Sequence, residues 1–383
     1  MTSPVNSSNL LKYAVPQIEI GEYVAAVEGS PQYNVGANTQ SRFLKSGTYY
    51  DITQYPKLYE KIGLGIDLDT WIPRTVSPAT TSAIYTMYYS NGLYLAGGFG
   101  GLLYTSTDTI TWTSRTSGIT SSIYSIFYGN GLYVYGAAGG IRTSTDAITW
   151  TARTINNTTD IRGITYGNGL FVYVDNGGGV GTSTDGITWT SRIATPSSQL
   201  LSVTYGNGLF VLGGTGGVLF TTTNGTSISP PTTLSIAQTI ISLAYGNGLY
   251  IASVFSSNIF TSTDAITWTA RTTAEAYGSA VYGNGVYLVS GGKLVNGGFT
   301  GPSTSENGLV WTSRRLSAIA SPGAICYGNG ICALGTSIGE IYSTPVPEAN
   351  KSFIPTKSTA AITSYSNTWP TSTGKLVYYV RAK

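Results

Sequence analysis

Along most of the chain, apolar and polar residues alternate in short runs and do not recur at helical spacing. "IYSIFYG", "LYVYGAAGG", "IRTST" and "ITWTART", at 123–129, 132–140, 141–145 and 148–154, are typical. Such runs, bounded by Gly and Asn, predict strands with one face buried. The first two are joined by Asn-Gly, the strongest local hairpin signal, because both central residues of a type I′ turn need positive φ. The same string, "YGNGL" or a near variant, begins at Tyr89, Tyr128, Tyr166, Tyr205, Tyr245, Tyr282 and Tyr327, at intervals of 39, 38, 39, 40, 37 and 45 residues. Each unit reads as strand, Asn-Gly turn, strand, Gly-rich turn, strand, "STD" turn, strand. Four antiparallel strands repeated at this period predict the blades of a β-propeller.

The tryptophans predict how the ring closes. Trp112, Trp150, Trp189, Trp268 and Trp311 follow the opening Tyr of their units by 23, 22, 23, 23 and 29 residues. The unit opened by Tyr327 runs out at "IYSTPVPEANKS" without a matching Trp, so its fourth strand is missing. "TWIPRT" at 70–75 carries the Trp-x-x-Arg-Thr spacing of "TWTSRT" at 111–116 and has no strands before it in the repeat. The orphan strand and the incomplete unit complete each other. The expectation is an all-β, seven-bladed ring whose last blade is built from both ends of the domain, leaving no unpaired edge.

Composition narrows the function. Charged residues are 10% of 383 and the net charge is +3, with much of the Arg at one repeat position, so there is no basic face for nucleic acid. No apolar run is long enough for a bilayer, and "MTSPVNSSNLL" lacks the form of a secretory signal, so neither membrane insertion nor export is expected. The chain has no His, the commonest general base and metal ligand; no metal, cofactor or enzymatic activity is expected. "GGFGG" at 97 and "GGTGG" at 213 join strand to strand with no following helix, which excludes a phosphate loop. Cys326 and Cys332 flank a hairpin; a cross-strand disulfide is conceivable, but two small apolar thiols are the simpler reading.

"STDGITWT" at 183–190 recurs with small changes at 106, 144 and 262. Its Asp can accept hydrogen bonds from its own turn and its Trp can pack between blades. The string resembles the Asp-box of sialidases and many noncatalytic propellers, Ser-x-Asp-x-Gly-x-x-Trp, which implies a structural hairpin away from any active site. Asp108, Asp146, Asp185 and Asp264 are therefore read as structural, since a catalytic acid is not expected in near-identical copies around a ring. Asn224 and Asn307 replace the acid in two further units. Arg74, Arg115, Arg153, Arg192, Arg271 and Arg314 are read as solvated charge on outer strands, and most of the 29 Tyr as strand packing.

With four strands per blade, the Asn-Gly and Asp turns share one face, and the second-to-third turns and inter-blade links share the other. The first face repeats; the second varies, with "VDNGGG" at 174, "SVFSSN" at 253 and "SGGKLVNGGFTG" at 290. Divergent loops on a repeated scaffold mark recognition. The candidate receptor contacts are Phe99, Asn156, Asn157, Asp175, Asn176, Phe255, Lys293, Asn296 and Phe299.

Outside the repeat, "IGEYVAAVEGSP", "RFLKSGTYYDITQYPKLYEKIG", "SFIPTKS" and "LVYYVRAK" resemble the collar domain of phage short tail fibres, with Tyr55, Pro56, Leu58, Tyr59, Ile62 and Gly63 matching its helix. The resemblance implies a small α+β collar-like domain over 1–65 and 345–383, interrupted by the propeller at 66–344. It implies a virion tail-fibre or receptor-binding protein that attaches a phage to host glycans or a protein receptor. Such a chain would contact other tail proteins, form a homo-oligomer such as a trimer, and assemble in the host cytoplasm. The alternatives are a polysaccharide-degrading glycosidase, which needs paired carboxylates and has only Asp160, Asp175, Glu275 and Glu340 to draw on, or an architectural collar, tail or capsid decoration.

Overall fold

A computed structural model describes residues 68, 70–155, 159–194, 198–256, 258–272, 278–291, 301–314 and 321–345, and the backbone of 23–27, 42–45, 294–295, 298–299 and 376–382. The chain divides into two compact units, 1–65 with 347–383, and 66–346. In the first, Leu376–Ala382 lies between Tyr23–Val27 and Arg42–Lys45, antiparallel to both, so segments from the two ends of the chain share one sheet. The helix expected over 52–63 and the "SFIPTKS" segment lie outside the described residues.

The second unit is a β-propeller. Its sheets are antiparallel meanders such as Ile123–Gly129, Leu132–Ala137, Gly140–Ser144 and Thr151–Arg153. Similar four-stranded sheets begin at Ile161–Gly167, Leu200–Gly206, Ile240–Gly246 and Ala280–Gly283. An eight-stranded sheet joins the two ends of the repeat. In it, Ile72–Ser77 pairs antiparallel with Ile341–Ser343 through Ile72, Pro73 and Arg74, then parallel with Thr111–Ser114 through Thr75, Val76 and Ser77. The first strands pack in cyclic order, from Ile84–Ser90 through those beginning at Ile123, Ile161, Leu200, Ile240 and Ala280 to Pro322–Gly328, which returns to Ile84–Ser90.

The "YGNG" string serves both the turn and the ring. Asn130 and Gly131, at φ 47° and 79°, form the left-handed pair of a type I′ turn, and the other Asn-Gly pairs do likewise. The Gly that precedes the Asn in every unit but the first, which has Ser90, is needed for a different reason. A Cβ on Gly167 would lie 2.1 Å from Cγ of Tyr205, and one on Gly328 1.9 Å from Cγ of Tyr89, so these repeat tyrosines, like Tyr166, Tyr245, Tyr282 and Tyr327, lie flat on the backbone of the preceding sheet. Second-strand tyrosines add a polar link, their hydroxyls donating to the carbonyl at the end of the preceding first strand: Tyr250 to Gly206, Tyr287 to Gly246, and Tyr94 to Gly328 across the closure. Burial pushes the phenols of Tyr250 and Tyr287 up to about 12, so they remain donors at any ordinary pH.

The core lies between sheets. Leu95 and Leu103 of one sheet cluster with Ile123, Tyr133 and Tyr135 of the next; Val211 and Leu219 cluster with Ile240, Tyr250 and Phe260. Ile84 and Trp112 meet Ala324, Cys326 and Ala333 across the closure. Each fully buried Leu, Ile or Phe contributes about 1.5–3 kcal/mol, so the hydrophobic effect holds every sheet against two neighbours. Cys326 and Cys332 are free thiols buried in this core, and burial pushes Cys326 up to about 12.

The Asp turns are closed by their own side chains. Asp185 Oδ1 accepts from Ile187 N and Thr188 N, both at 2.8 Å, and from Ser183 Oγ at 2.9 Å, while Trp189 Nε1 donates to Gly186 O at 2.9 Å. Asp108, Asp146 and Asp264 bond in the same way, and Asn224 and Asn307 reproduce the Oδ1 contacts without charge. Trp71 Nε1 donates to Leu68 O at 2.9 Å, so the strand supplied from before the repeat ends its turn as the others do.

The arginines, half-buried or exposed on the outer strands, also make a repeated bond. Nε of Arg115, Arg153, Arg192, Arg271 and Arg314 donates to Thr105, Thr143, Thr182, Thr261 and Thr304 on the adjacent strand, at 2.7–3.1 Å. Arg74 makes the matching bond to Ser343 Oγ at 2.6 Å. These side chains brace third to fourth strands.

Candidate functional site

Each first strand starts on the variable face and runs down the central channel to its Asn-Gly turn. Close to the start, all of them except Ala280–Gly283 carry a β-bulge. Ile84 pairs with Gly98 and Thr86 with Gly97, so Tyr85 has no partner; the same register shift isolates Tyr124, Arg162, Leu201, Ile241 and Gly323. A bulge re-aims the extra residue. Here the extra residues line one end of the channel, a cavity of about 750 Å³. They form a ring at the mouth of a channel whose deeper wall repeats: Met87, Ile126, Ile164, Val203, Leu243 and Ile325 follow two residues further on.

At the mouth, three consecutive strands build a stack. Tyr85 and Tyr124 lie with ring centroids 5.7 Å apart and planes at 23°. Cζ of Arg162 sits 3.9 Å from the centre of the Tyr124 ring, a cation–π distance. Arg162 NH2 donates to Asp160 Oδ2 at 3.0 Å, and both side chains are about one quarter exposed, at 28% and 29%. Arg162 Nε is buried with no hydrogen-bond partner. An unpaired buried donor costs about 1–3 kcal/mol. The repeat does not need an arginine here, because Tyr, Leu, Ile and Gly fill the equivalent positions. An expensive residue that folding does not require points to function.

A second ring surrounds the first. The residue following each second strand donates its N–H to the link before the first strand: Phe99 to Ala83, Asn176 to Asp160, and Phe255 to Thr239, each at 2.9 Å, with Ala138, Thr215 and Ser337 making the same bond. The backbone is thus fixed while the side chain changes from unit to unit. Phe99 is 57% exposed and Phe255 67%, large values for phenylalanine.

Three of the expected contacts, Phe99, Asn176 and Phe255, therefore occupy one structural position in different sheets. Asp175 is corrected. It is 3% exposed, and its Oδ1 accepts from Gly177 N at 2.7 Å and Gly179 N at 2.8 Å, so it holds its own loop in place. Phe299 lies in a short hairpin, Leu294–Val295 with Gly298–Phe299. Asn156, Asn157, Lys293 and Asn296 lie outside the described residues. Loop-based reasoning overlooked Tyr85, Tyr124 and Arg162. Their signal is the residue four before each repeat Tyr, which reads Tyr, Tyr, Arg, Leu, Ile, Gly, Gly at 85, 124, 162, 201, 241, 278 and 323.

No family model matches the chain, and no curated protein matches its sequence. Solved structures do match. A catalytically inactive histidine-to-alanine variant of virginiamycin B lyase from Staphylococcus aureus, with quinupristin, is similar with a TM-score of 0.63 and 12% identity, over 72% of this chain and 99% of that one. YCF48 bound to D1 peptide is similar with a TM-score of 0.58 and 15% identity, over 73% and 98%. The WD40 propeller domain of Doa1 is similar with a TM-score of 0.58 and 13% identity, over 74% and 98%. At these identities the likeness establishes the fold: the second unit of the chain is a β-propeller.

Proposed function

We propose that the chain is a noncatalytic receptor-binding protein of a bacteriophage tail fibre, presenting the variable face of a seven-bladed propeller to the host cell surface. The blade count takes the eight-stranded sheet as two blades, Pro322–Gly328 to Ile72–Ser77 and Ile84–Ser90 to Thr111–Ser114. The terminal segments form the collar-like unit that attaches to other tail proteins, and the shared sheet of Tyr23–Val27, Leu376–Ala382 and Arg42–Lys45 supports reading them as one domain interrupted by the propeller. Several copies per virion would convert weak individual contacts into avidity.

The observation that carries the reading is the contrast between faces. The Asn-Gly and Asp turns repeat the same bonds in sheet after sheet, whereas the bulge and loop rings change chemistry at fixed backbone positions. Repeated positions serve the scaffold, and changing ones serve recognition. A lyase is among the similar propellers, one form of it a catalytically inactive histidine-to-alanine variant, and this chain has no histidine to supply that group. The test is competition. Purified chain added to bacteria before the phage that encodes it should reduce adsorption of that phage, and antibody to the chain should label the distal tail. Undiminished adsorption together with labelling confined to the capsid would favour the architectural alternative.

A further inference from the structure

We infer that the channel mouth is a binding site for a neutral oligosaccharide, one sugar seated on the Tyr85 ring and another, across the stack, gripped through its hydroxyls by Asp160 and Arg162. This rests on the receptor-binding reading and names its ligand class. The stack Tyr85–Tyr124–Arg162 is built by successive strands, each placing its unpaired bulge residue at the mouth. Tyr124 is covered on both sides, by Tyr85 at 5.7 Å and Arg162 at 3.9 Å. Tyr85 ends the stack. In ring order the next bulge position is Gly323, which has no side chain to cover it, and Tyr85 stays 43% exposed. An exposed tyrosine held by a stacked neighbour is a rigid platform with an apolar, electron-rich face, suited to the C–H face of a sugar ring.

The polar pair fixes the rest of the chemistry. An aspartate offers acceptors only and an arginine donors only, and Asp160 and Arg162 lie side by side at 3.0 Å. Adjacent hydroxyls each donate and accept, so a vicinal diol can meet the exposed parts of both side chains at once, while the buried Nε lies out of its reach. The pair also argues against an acidic sugar. Among the bulge residues Arg162 alone carries charge, and Asp160 already neutralises it; a ligand carboxylate would meet the Asp160 carboxylate at the same place. The tyrosine platform explains why the arginine is held here despite its buried, unpaired Nε.

The experiment is binding of the full chain to immobilised neutral oligosaccharides of glucose, galactose, mannose and rhamnose, beside glucuronate, galacturonate and sialate counterparts. The variants are Tyr85→Leu, Asp160→Asn and Arg162→Ile. Leu201 and Ile241 occupy the equivalent bulge positions, so the first and third replacements suit the fold; melting curves and adsorption to host cells are read in parallel. Expected is binding to at least one neutral glycan, weakened about tenfold or more by each variant with no fall in melting temperature. That binding should change little between about 0.05 and 0.5 M salt. Binding confined to acidic glycans and lost with salt overturns the inference, as does neutral binding indifferent to Tyr85→Leu. If no glycan is retained while the chain still adsorbs to cells, the saccharide inference falls and the receptor-binding reading stands. If the chain adsorbs to neither, both fall.

Discussion

A single carboxylate oxygen organises each Asp turn, and its chemistry has a consequence for acid stability. Backbone N–H bonds from Thr149, Thr188 and Thr267 and their neighbours hold Asp146, Asp185 and Asp264 down to about 2. For Asp108, burial pushes upward, but the N–H bonds outweigh it and the pKa is lowered. A folded pKa below the unfolded value of about 4 means stability that is fully present above pH 4 and is lost as pH falls toward 2. Thermal midpoints should therefore drop between about pH 4 and pH 2. The combined change Asp146→Asn, Asp185→Asn and Asp264→Asn should flatten that drop, because Asn224 and Asn307 already make the same bonds without titrating. An equally steep loss in the triple variant would place acid sensitivity elsewhere. That these acids would accept bonds from their own turns was readable from their repetition. That Thr109, Ala147 and Ala265 take left-handed φ of 64°, 61° and 61° was not, since only the bonded turn imposes a conformation their side chains resist.

At the level of the hairpin, two glycines two residues apart do different work, and substitution should separate them. Gly169, at φ 74°, has nothing within 4 Å of an added Cβ, so Gly169→Ala meets only backbone strain, about 1–2 kcal/mol. Gly167 lies under Tyr205, where a Cβ would sit 2.1 Å from the ring, so Gly167→Ala must displace the neighbouring sheet. Its cost should reach or exceed about 3 kcal/mol, the upper range for overpacking. Denaturant unfolding of both variants checks the order, and equal costs would refute the packing role given to the repeat Tyr. The turn was legible because Asn-Gly constrains local dihedrals. The packing role of the preceding Gly, and the bulges one strand-length away, were not, because both depend on what lies opposite. Tyr85, Tyr124 and Arg162 read as ordinary strand residues until pairing with Gly97–Gly98, Gly136–Ala137 and Val174–Asp175 leaves each without a partner.

For the whole molecule, closure decides whether a row of sheets becomes a ring. The orphan Trp-x-x-Arg-Thr string announced the device, since Trp71 and Arg74 keep the spacing of Trp112 and Arg115. It did not announce that Ile72–Ser77 would also run parallel to Thr111–Ser114, because that pairing is set by the approach of the first and last sheets. Three kinds of contact meet there: the Arg74 bond to Ser343, the Tyr94 bond to Gly328, and the cluster of Ile84, Trp112, Cys326 and Ala333. Without Ile72–Ser77, the third strand Ile341–Ser343 would expose an unpaired edge, and edges of that kind recruit other chains. A fragment of residues 66–346, the second compact unit, should fold as a monomer with one cooperative thermal transition. A fragment of residues 80–346, which keeps every sheet except the closing strand, should melt at a lower temperature and elute from size exclusion as oligomers. Were the shorter fragment equally stable and monomeric, the ring would be held by packing between sheets alone, and the strand shared between the two ends of the repeat would be dispensable.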